Sequence, residues 1–323
     1  MAWCFTITIF IASCLLLAWL SSWLVKSLIQ IAKYLRWREF VIAFFVMAFA
    51  TSLPNFFVDF NAAFRGMPEI SLGDIVGGNL IDLTLVAAIA VFFTRKGLSV
   101  ESRMVQKSAI FTSGIAVLPL LLIGDSNLSR TDGLILIFSF GMYCWWLFSE
   151  RVHFRKIYSH AKHEEIKSFK HFLKNLIIMV SLVILLLITS QIVVSSAKFF
   201  SSQLGISLSL VGILIVGLGN SFPEMYFSAV SARKEENWLV LGNLMGSVVV
   251  CTSLVLGMIA LIFPFDIKDL SPFVTSRIFL IAAALFSLIF IYTGKRITKK
   301  EGLILLFIYI SFLIFEILMP FVA

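Results

Sequence analysis

Charged residues are scarce in this sequence. Asp, Glu, Lys and Arg make up 14% of its 323 residues, whereas hydrophobic residues make up 60%. Soluble domains carry about 25% charged residues, so the composition excludes an ordinary soluble globular protein. Apolar runs long enough to cross a bilayer follow one another along the chain, and they predict an all-α polytopic protein embedded in the lipid bilayer. The runs are continuously apolar rather than alternating, which disfavours a membrane β-barrel.

Cysteines and catalytic motifs are also lacking. The four cysteines lie inside apolar runs without C-x-x-C spacing, so no secreted disulfide framework is expected. Motifs of nucleophilic and metal-dependent hydrolases are absent. Gly73 and Asp74 are similar to the Gly-Asp pair of intramembrane aspartyl proteases, but no second aspartate has a matching context. We therefore expect neither an enzyme nor a bound cofactor.

The net charge of +8 comes from 26 Lys and Arg residues against 18 Asp and Glu residues. Such a basic balance can indicate nucleic-acid binding. Here the basic residues fall in short clusters between apolar runs, as they do in the cytoplasmic loops of membrane proteins. The sequence therefore predicts no nucleic-acid partner.

Length and hydropathy predict ten membrane-spanning helices of roughly 20 apolar residues each. They cover residues 4–25, 39–64, 71–93, 107–124, 132–149, 173–194, 206–232, 238–263, 274–293 and 302–320. The first lacks the basic leading segment and the A-x-A site of a signal peptide, so it is interpreted as a spanning helix. With ten spans, 21 of the 26 Lys and Arg residues fall on one side. The positive-inside rule makes that side cytoplasmic and places both termini outside.

The longest connection, at residues 150–172, is polar and basic. It contains four histidines, His153, His160, His163 and His171, which could sense a metal ion. A solvated cytoplasmic linker is the preferred interpretation. The segment is too short for a folded regulatory domain, which favours a prokaryotic plasma-membrane protein. Nothing in the sequence indicates an oligomeric state.

An internal duplication is the most informative feature of the chain. Three pairs of segments are similar at a constant spacing of 169 residues (219 − 50 = 242 − 73 = 299 − 130 = 169), which is called the repeat offset below. They are ATSLPN at 50–55 with GNSFPE at 219–224, GDIVGGNLID at 73–82 with GNLMGSVVVC at 242–251, and RTDGLILIF from Arg130 with KKEGLILLF from Lys299. Each half holds five predicted helices, an odd number, so the second half enters the membrane in the opposite orientation. The sequence thus predicts two inverted five-helix repeats, at 1–149 and 173–323, of the kind found in secondary transporters.

Polar residues collect beside Pro54 and Pro223 within otherwise apolar segments. Each proline removes a backbone donor and interrupts its helix, and the freed carbonyl groups can face a cation. Glu224 is costly at mid-membrane depth unless it faces a partner or a watery cavity. Hard cations such as calcium take six to eight oxygen ligands. The residues that can supply such oxygens are Thr51, Ser52, Asn55, Asp82, Asn220, Ser221, Glu224 and Ser247.

The paired segments resemble the alpha repeats of the cation/calcium exchanger superfamily. Its pattern is close to G-T-S-x-P-E in one helix and G-N-x-x-G-S-N-x-F-[ND] in the next. The resemblance implies a cofactor-free antiporter of inorganic cations, which exchanges calcium for sodium by alternating access at a midplane site. It also implies ion ligands at Thr51, Ser52, Asp82, Ser221, Glu224 and Ser247, with backbone carbonyls near Ala48 and Gly217.

Four positions depart from that family pattern. Asn55 stands where the family usually has a glutamate, and Cys251 stands where many members have an aspartate. Gly78 replaces a serine and Asn220 replaces a threonine. These losses leave two alternatives open: a proton-coupled exchanger of calcium or another cation, and a transport-inactive scaffold with the same fold.

Other acidic residues and glycines near the motifs complete the expectations. Asp82 is a carboxylate where several family members carry asparagine. Asp59 and Asp74 are candidates for further charged ligands or for an aqueous entrance. The glycines of the two motifs are interpreted as sites of close helix packing, namely Gly77, Gly78 and Gly246.

Overall fold

The computed structural model describes residues 2–34, 52–101, 103–149, 169–235, 237–294 and 296–318, and this part of the chain is almost entirely helical. The helices of the first half are α1 (Ala2–Tyr34), α2 (Leu53–Phe64), α3 (Pro68–Ile81), α4 (Ala87–Phe93), α5 (Arg103–Leu122) and α6 (Arg130–Ser149). A π-helical segment, π1 (Asp82–Val86), joins α3 to α4. A short 3-10 helix (Ile123–Asp125) follows α5.

The second half has a matching series of elements. Its helices are α7 (Phe169–Leu204), α8 (Leu208–Val211), α9 (Gly217–Asn220), α10 (Phe222–Arg233), α11 (Asn237–Val249), α12 (Leu256–Ile262), α13 (Ser271–Thr293) and α14 (Lys299–Leu318). The segment π2 (Gly212–Val216) joins α8 to α9, and π3 (Val250–Val255) joins α11 to α12. Four two-residue strands lie in the loops: β1 (Leu98–Ser99), β2 (Asn127–Leu128), β3 (Phe265–Asp266) and β4 (Arg296–Ile297).

Seven helical stretches of the described residues are long and apolar enough to cross a membrane. They start at Trp3, Pro68, Val105, Leu173, Leu208, Leu239 and Ser271. This confirms a helical multi-pass membrane protein, whereas the count of ten spans stays a prediction. The span expected at 39–64 is described only from residue 52 onward. The spans expected at 132–149 and 302–320 correspond to α6 and α14, which are not among the seven.

Helices α1 and α7 are longer than the apolar segments expected at 4–25 and 173–194. They contain 33 and 36 residues. At 1.5 Å per residue each is about 50 Å long, against about 30 Å for the hydrocarbon core of a bilayer. Hydropathy detects only the apolar part of a helix. The more polar ends of α1 and α7 were therefore not included in the predicted spans. The two helices pack side by side, and Trp3 stacks on Phe200 where they meet.

The repeat offset also relates the secondary structure of the two halves. It maps α2 onto α10, α4 onto α12, α6 onto α14 and β2 onto β4, residue for residue. It also maps π1 onto π3 to within one residue. The duplication seen in the sequence is therefore a duplication of backbone structure.

The small strands link the two halves reciprocally. In the pair β1–β4, Leu98 lies opposite Ile297, and in the pair β2–β3, Asn127 lies opposite Asp266. Both pairs are antiparallel, and each joins a loop of the first half to a loop of the second. This reciprocal pairing fixes which loops lie at the same end of the helices.

Glycines bring α3 against π2 across the boundary between the halves. A Cβ atom on Gly77 would collide with the Ile213 carbonyl oxygen, and one on Gly212 would lie 2.5 Å from the Ile70 carbonyl oxygen. The predicted packing role is thus confirmed for Gly77 and stays a prediction for Gly246. For Gly78 it also stays a prediction, because an added Cβ would meet no neighbouring atom within 4 Å, whereas a Cβ on Gly217 would lie 3.1 Å from the Gly78 backbone nitrogen. Gly78 borders an enclosed space because no helix approaches the side on which a Cβ would lie.

Candidate functional site

The helix break expected at Pro223 is present at the residue before α10. Helix α9 ends at Asn220 and α10 begins at Phe222, which leaves Ser221 outside both helices. Pro223 then lies in the first turn of α10, where a helix does not need the missing backbone donor. Pro54 has the same place in α2. Helix α2 contacts α3 and the π3 segment of the other half, and α10 contacts α11 and the π1 segment of the other half.

Glu224 and Asp82 come from different halves and meet around Ser247. The Ser247 hydroxyl donates to Glu224 Oε1 at 3.4 Å and is also within hydrogen-bonding reach of the Asp82 carboxylate. All three residues are buried, with Asp82 the most exposed at 4%. A hydroxyl has one hydrogen, so it cannot satisfy both carboxylates at once. Two carboxylates that share one hydroxyl repel each other when both are charged, so a cation or a proton must neutralise them.

The residues that the repeat relates to Glu224 and Asp82 carry no carboxylate. The repeat offset maps Asn55 onto Glu224 and Asp82 onto Cys251. Asn55 Nδ2 donates to Cys251 Sγ at 3.5 Å, and Ser52 lies within hydrogen-bonding reach of the same thiol. The site therefore has a charged side and a neutral side.

Asp59 and Asp74 form a second acidic group beside the first. Asn220 Nδ2 donates to Asp74 Oδ2 at 2.6 Å, and the Asp59 carboxyl group is within hydrogen-bonding reach of Asp74. Asp74 also interacts electrostatically with Glu224. The two aspartates are 0% and 1% exposed, so neither lies at an aqueous entrance in this structure.

Seven buried oxygen atoms in these side chains lack a hydrogen-bond donor. They are Asn55 Oδ1, both carboxylate oxygens of Asp59, Asp74 Oδ1, Asp82 Oδ1, Asn220 Oδ1 and Glu224 Oε2. All are acceptors, and the buried residues of the described chain include no Lys, Arg or His to neutralise them. An unpaired buried acceptor costs about 1–3 kcal/mol, and more if it is charged. The arrangement therefore calls for cations or protons.

These oxygen atoms could together act as ligands of a hard cation. Across the described ranges, no three or more His, Cys, Asp or Glu side chains are grouped so as to hold a metal ion by themselves. Carboxylate, amide and hydroxyl oxygens would have to act together, as they do around calcium. The space beside Gly78 lies on the helix face shared by Asp74 and Asp82, because residues four apart project from the same side.

Local widening of two helices accompanies the site. Segment π1 begins at Asp82, and the equivalent π3 contains Cys251. In each, a hydroxyl donates to the carbonyl four residues back, from Thr84 and from Ser253. Such back-bonding competes with the regular helical hydrogen bond, and π segments are frequent at functional sites. The duplicated hydroxyl was a signal that the sequence analysis did not use.

A buried hydrogen bond ties the two halves together next to the site. Asn79 Nδ2 donates to Thr252 Oγ1 at 2.6 Å, and the two residues are 2% and 0% exposed. The repeat offset maps Asn79 onto Val248, so the bond has no counterpart. The sequence contained no signal for this pair.

The structure places seven of the eight expected ligand residues, and Thr51 lies outside the described residues, as does Ala48. Six of the seven belong to the network above. The seventh, Ser221, is buried at the helix break, where its backbone N–H donates to the Gly217 carbonyl at 3.1 Å. That carbonyl keeps a second lone pair for an ion. The role of all eight residues as ligands stays a prediction.

Comparison with known proteins gives a consistent result. The family model described as sodium/calcium exchanger protein matches residues 5–149 and 174–318. The sodium/calcium exchanger MaX1 of Methanosarcina acetivorans is 26% identical over an alignment of 329 positions, gaps included, that covers 91% of this chain and 93% of that protein. The inner membrane protein YrbG of Escherichia coli is 25% identical over 256 residues, 77% of each chain.

Solved structures of the sodium-calcium exchanger NCX_Mj share the fold. One of them aligns with a TM-score of 0.61 at 24% sequence identity and covers 95% of this chain and 96% of its own. The family match spans two separate segments, one in each half, which agrees with the repeats found in the sequence.

Proposed function

The chain belongs to the sodium/calcium exchanger protein family, and from this premise we propose that it is a secondary active cation antiporter that exchanges calcium for sodium by alternating access. Members of this family are exchangers rather than enzymes. The observation that carries the proposal is the pair Glu224 and Asp82, which meet across the two halves around Ser247 with unpaired oxygens on both. The relative MaX1 is named a sodium/calcium exchanger, and NCX_Mj crystals were soaked with sodium and strontium.

The charge of the site gives a physical basis for exchange. Two carboxylates carry a charge of about −2 and neutralise one calcium ion, and sodium accepts a smaller set of the same oxygens. An empty charged site in a medium of low dielectric constant is costly. The protein should therefore change its open side mainly when it is loaded, since a ligand favours the state in which its contacts are made. The sodium gradient then drives calcium in the opposite direction.

The proposed ligand set keeps all the residues expected from the sequence. Glu224 and Asp82 are the charged ligands. The neutral ligands are Thr51, Ser52, Asn55, Asn220, Ser221 and Ser247. Discontinuous helices that meet near the midplane are the usual setting of such sites.

We also propose ten spans in two inverted repeats, at residues 1–149 and 173–323, joined by a cytoplasmic linker at 150–172. Contacts between loops support this topology. Arg95 N donates to Glu235 Oε1 at 2.9 Å, and β1 pairs with β4, so three loops expected inside lie together. Strands β2 and β3 belong to two loops expected outside. With the Lys and Arg bias, both termini are outside, and the prokaryotic relatives agree with a plasma membrane.

Calcium flux into proteoliposomes that contain the purified protein tests this function. Flux is measured under imposed sodium, potassium or proton gradients for the wild type, Glu224→Gln, Asp82→Asn and a control, Glu316→Gln. Glu316 is a buried acid beside Thr275, away from the network. We expect sodium-dependent flux in the wild type and the control. Loss of a direct ligand should exceed the losses known for indirect ligand partners, so each site variant should be slower by at least about 100-fold.

Each other result selects another function. Flux that follows only the proton gradient would identify a proton-coupled exchanger. No flux under any gradient would favour the transport-inactive scaffold, which the absence of carboxylates at Asn55 and Cys251 suggests. Unchanged flux in both site variants would remove Glu224 and Asp82 from the mechanism.

A further inference from the structure

Asp59 and Asp74 are buried acids that the proposed exchange site does not use. They project from neighbouring helices, α2 and α3, and their carboxyl groups lie within hydrogen-bonding reach of each other. They are 0% and 1% exposed. A buried carboxylate is paired with positive charge, bound to a metal ion or neutralised by a proton.

Four oxygen atoms of Asp59, Asp74 and Asn220 receive no hydrogen bond from any N–H or hydroxyl group of the described residues. They are both carboxylate oxygens of Asp59, Asp74 Oδ1 and Asn220 Oδ1. The hydrogen bond from Asn220 Nδ2 to Asp74 Oδ2, at 2.6 Å, holds the Asn220 amide group against Asp74. The nearby Ser71 hydroxyl cannot serve them, because it donates to the Asp59 backbone carbonyl at 2.7 Å. These oxygens are of the kinds that hard cations bind.

The second half shows that packing does not require acids here. The repeat offset maps Asp59 onto Ser228 and Asp74 onto Asn243. Asn243 Nδ2 donates to Ser228 Oγ at 3.5 Å, so the equivalent pair is neutral and bonds directly. Helices α2 and α10 have identical lengths and matched boundaries. The acids of the first half therefore add charge to a position that folds without it.

We propose that Asp59 and Asp74 form a second cation site that takes a divalent ion such as calcium, and that Asn220 is a ligand shared between this site and the adjacent Glu224 and Asp82 site. Two facing carboxylates are neutralised by one divalent ion, and the buried residues of the described chain offer no basic side chain instead. The four oxygens supply part of a calcium shell of six to eight, and water or backbone carbonyls complete it. The inference depends on the proposed function only for the choice of calcium, since binding does not require transport.

Equilibrium binding of radioactive calcium to the purified full-length protein, carried to saturation, counts the ions per chain. The central variant is Asp59→Ser with Asp74→Asn, which installs the pair already present in the second half. A second variant, Asp59→Asn with Asp74→Asn, keeps the side-chain shapes if the first fails to fold. The comparison variant is Glu224→Gln with Asp82→Asn, and Glu316→Gln is the matched buried-acid control. Thermal unfolding in detergent verifies that each variant is folded.

We expect two calcium ions per chain in the wild type and in Glu316→Gln, and one in each double variant. A wild type that binds a single ion, or an Asp59 and Asp74 variant that retains both, would overturn the second site. Flux separates the two proposals. One bound calcium with sodium-driven flux rejects the second site and keeps the function, whereas two bound ions without flux do the opposite.

Discussion

In the part of the chain that the structure describes, the two halves of the site have matched helix boundaries and different side chains. On one side Glu224 and Asp82 flank the Ser247 hydroxyl. On the other, Asn55 contacts Cys251, and the position equivalent to Ser247 is Gly78, which leaves open space. Because α2 maps onto α10 residue for residue, the difference lies in side chains alone. A duplicated frame can thus hold an asymmetric distribution of charge.

This comparison teaches that residues can be exchanged between the halves at small structural cost. Each residue of one half already packs in an equivalent backbone setting in the other. The effects of such exchanges should therefore report on charge and hydrogen bonding.

Glu224→Asn gives the second half the residue of the first. We expect calcium flux to fall by at least about 100-fold, because the variant leaves Asp82 as the single charged ligand of the central pair. Asn55→Ala removes one neutral oxygen from the other side and should slow flux by about 10-fold or less. Flux in proteoliposomes measures both. Equal losses in the two variants would contradict the assignment of a charged and a neutral side.

Ser247→Gly removes the hydroxyl that lies between Glu224 and Asp82. We expect calcium affinity to fall by about 10-fold, because the variant loses one neutral oxygen ligand and keeps both carboxylates. The reciprocal change, Gly78→Ser, places a hydroxyl in open space, so the unfolding temperature should stay within a few degrees. Calcium titration and thermal unfolding give the two readouts. A sharp loss of stability in Gly78→Ser would show that the enclosed space is absent.

Gly77→Ala and Gly78→Ala separate close packing from open space on one helix. The added methyl group at Gly77 would meet the backbone of Ile213, which cannot move aside as a flexible side chain can. We expect a loss of about 2–3 kcal/mol in unfolding free energy for Gly77→Ala, and a change within about 0.5 kcal/mol for Gly78→Ala. Thermal unfolding in detergent compares them. The same stability for both variants would refute the contact between α3 and π2.

Thr252→Val removes the acceptor of the Asn79 side chain and leaves a buried N–H group unpaired. We expect a loss of about 1–2 kcal/mol in unfolding free energy. Thr252→Ser keeps the hydroxyl and should retain most of the stability. If valine and serine are equally tolerated, the bond that links the halves contributes little.

Much of the fold and part of the site could be predicted from the sequence. The internal duplication predicted the paired elements, and Pro223 predicted the break that ends α9 at Asn220. Apolar length predicted spanning helices but underestimated α1 and α7, because hydropathy responds to lipid and not to helix continuity. The π segments were missed, although Thr84 and Ser253 marked them twice. The bond from Asn79 to Thr252 could not be anticipated, since it joins positions unrelated by the repeat.

The sequence by itself determined the membrane class, the two homologous halves and the residue types able to face a cation, because composition and duplication are properties of the chain. Only the tertiary structure decided which of those residues meet. It brought Glu224 to Asp82 through Ser247, and it buried Asp59 against Asp74 and Asn220. The reason is physical. The packing of helices from both halves sets the distances between charged side chains and their burial, and the amino-acid sequence does not specify these distances directly.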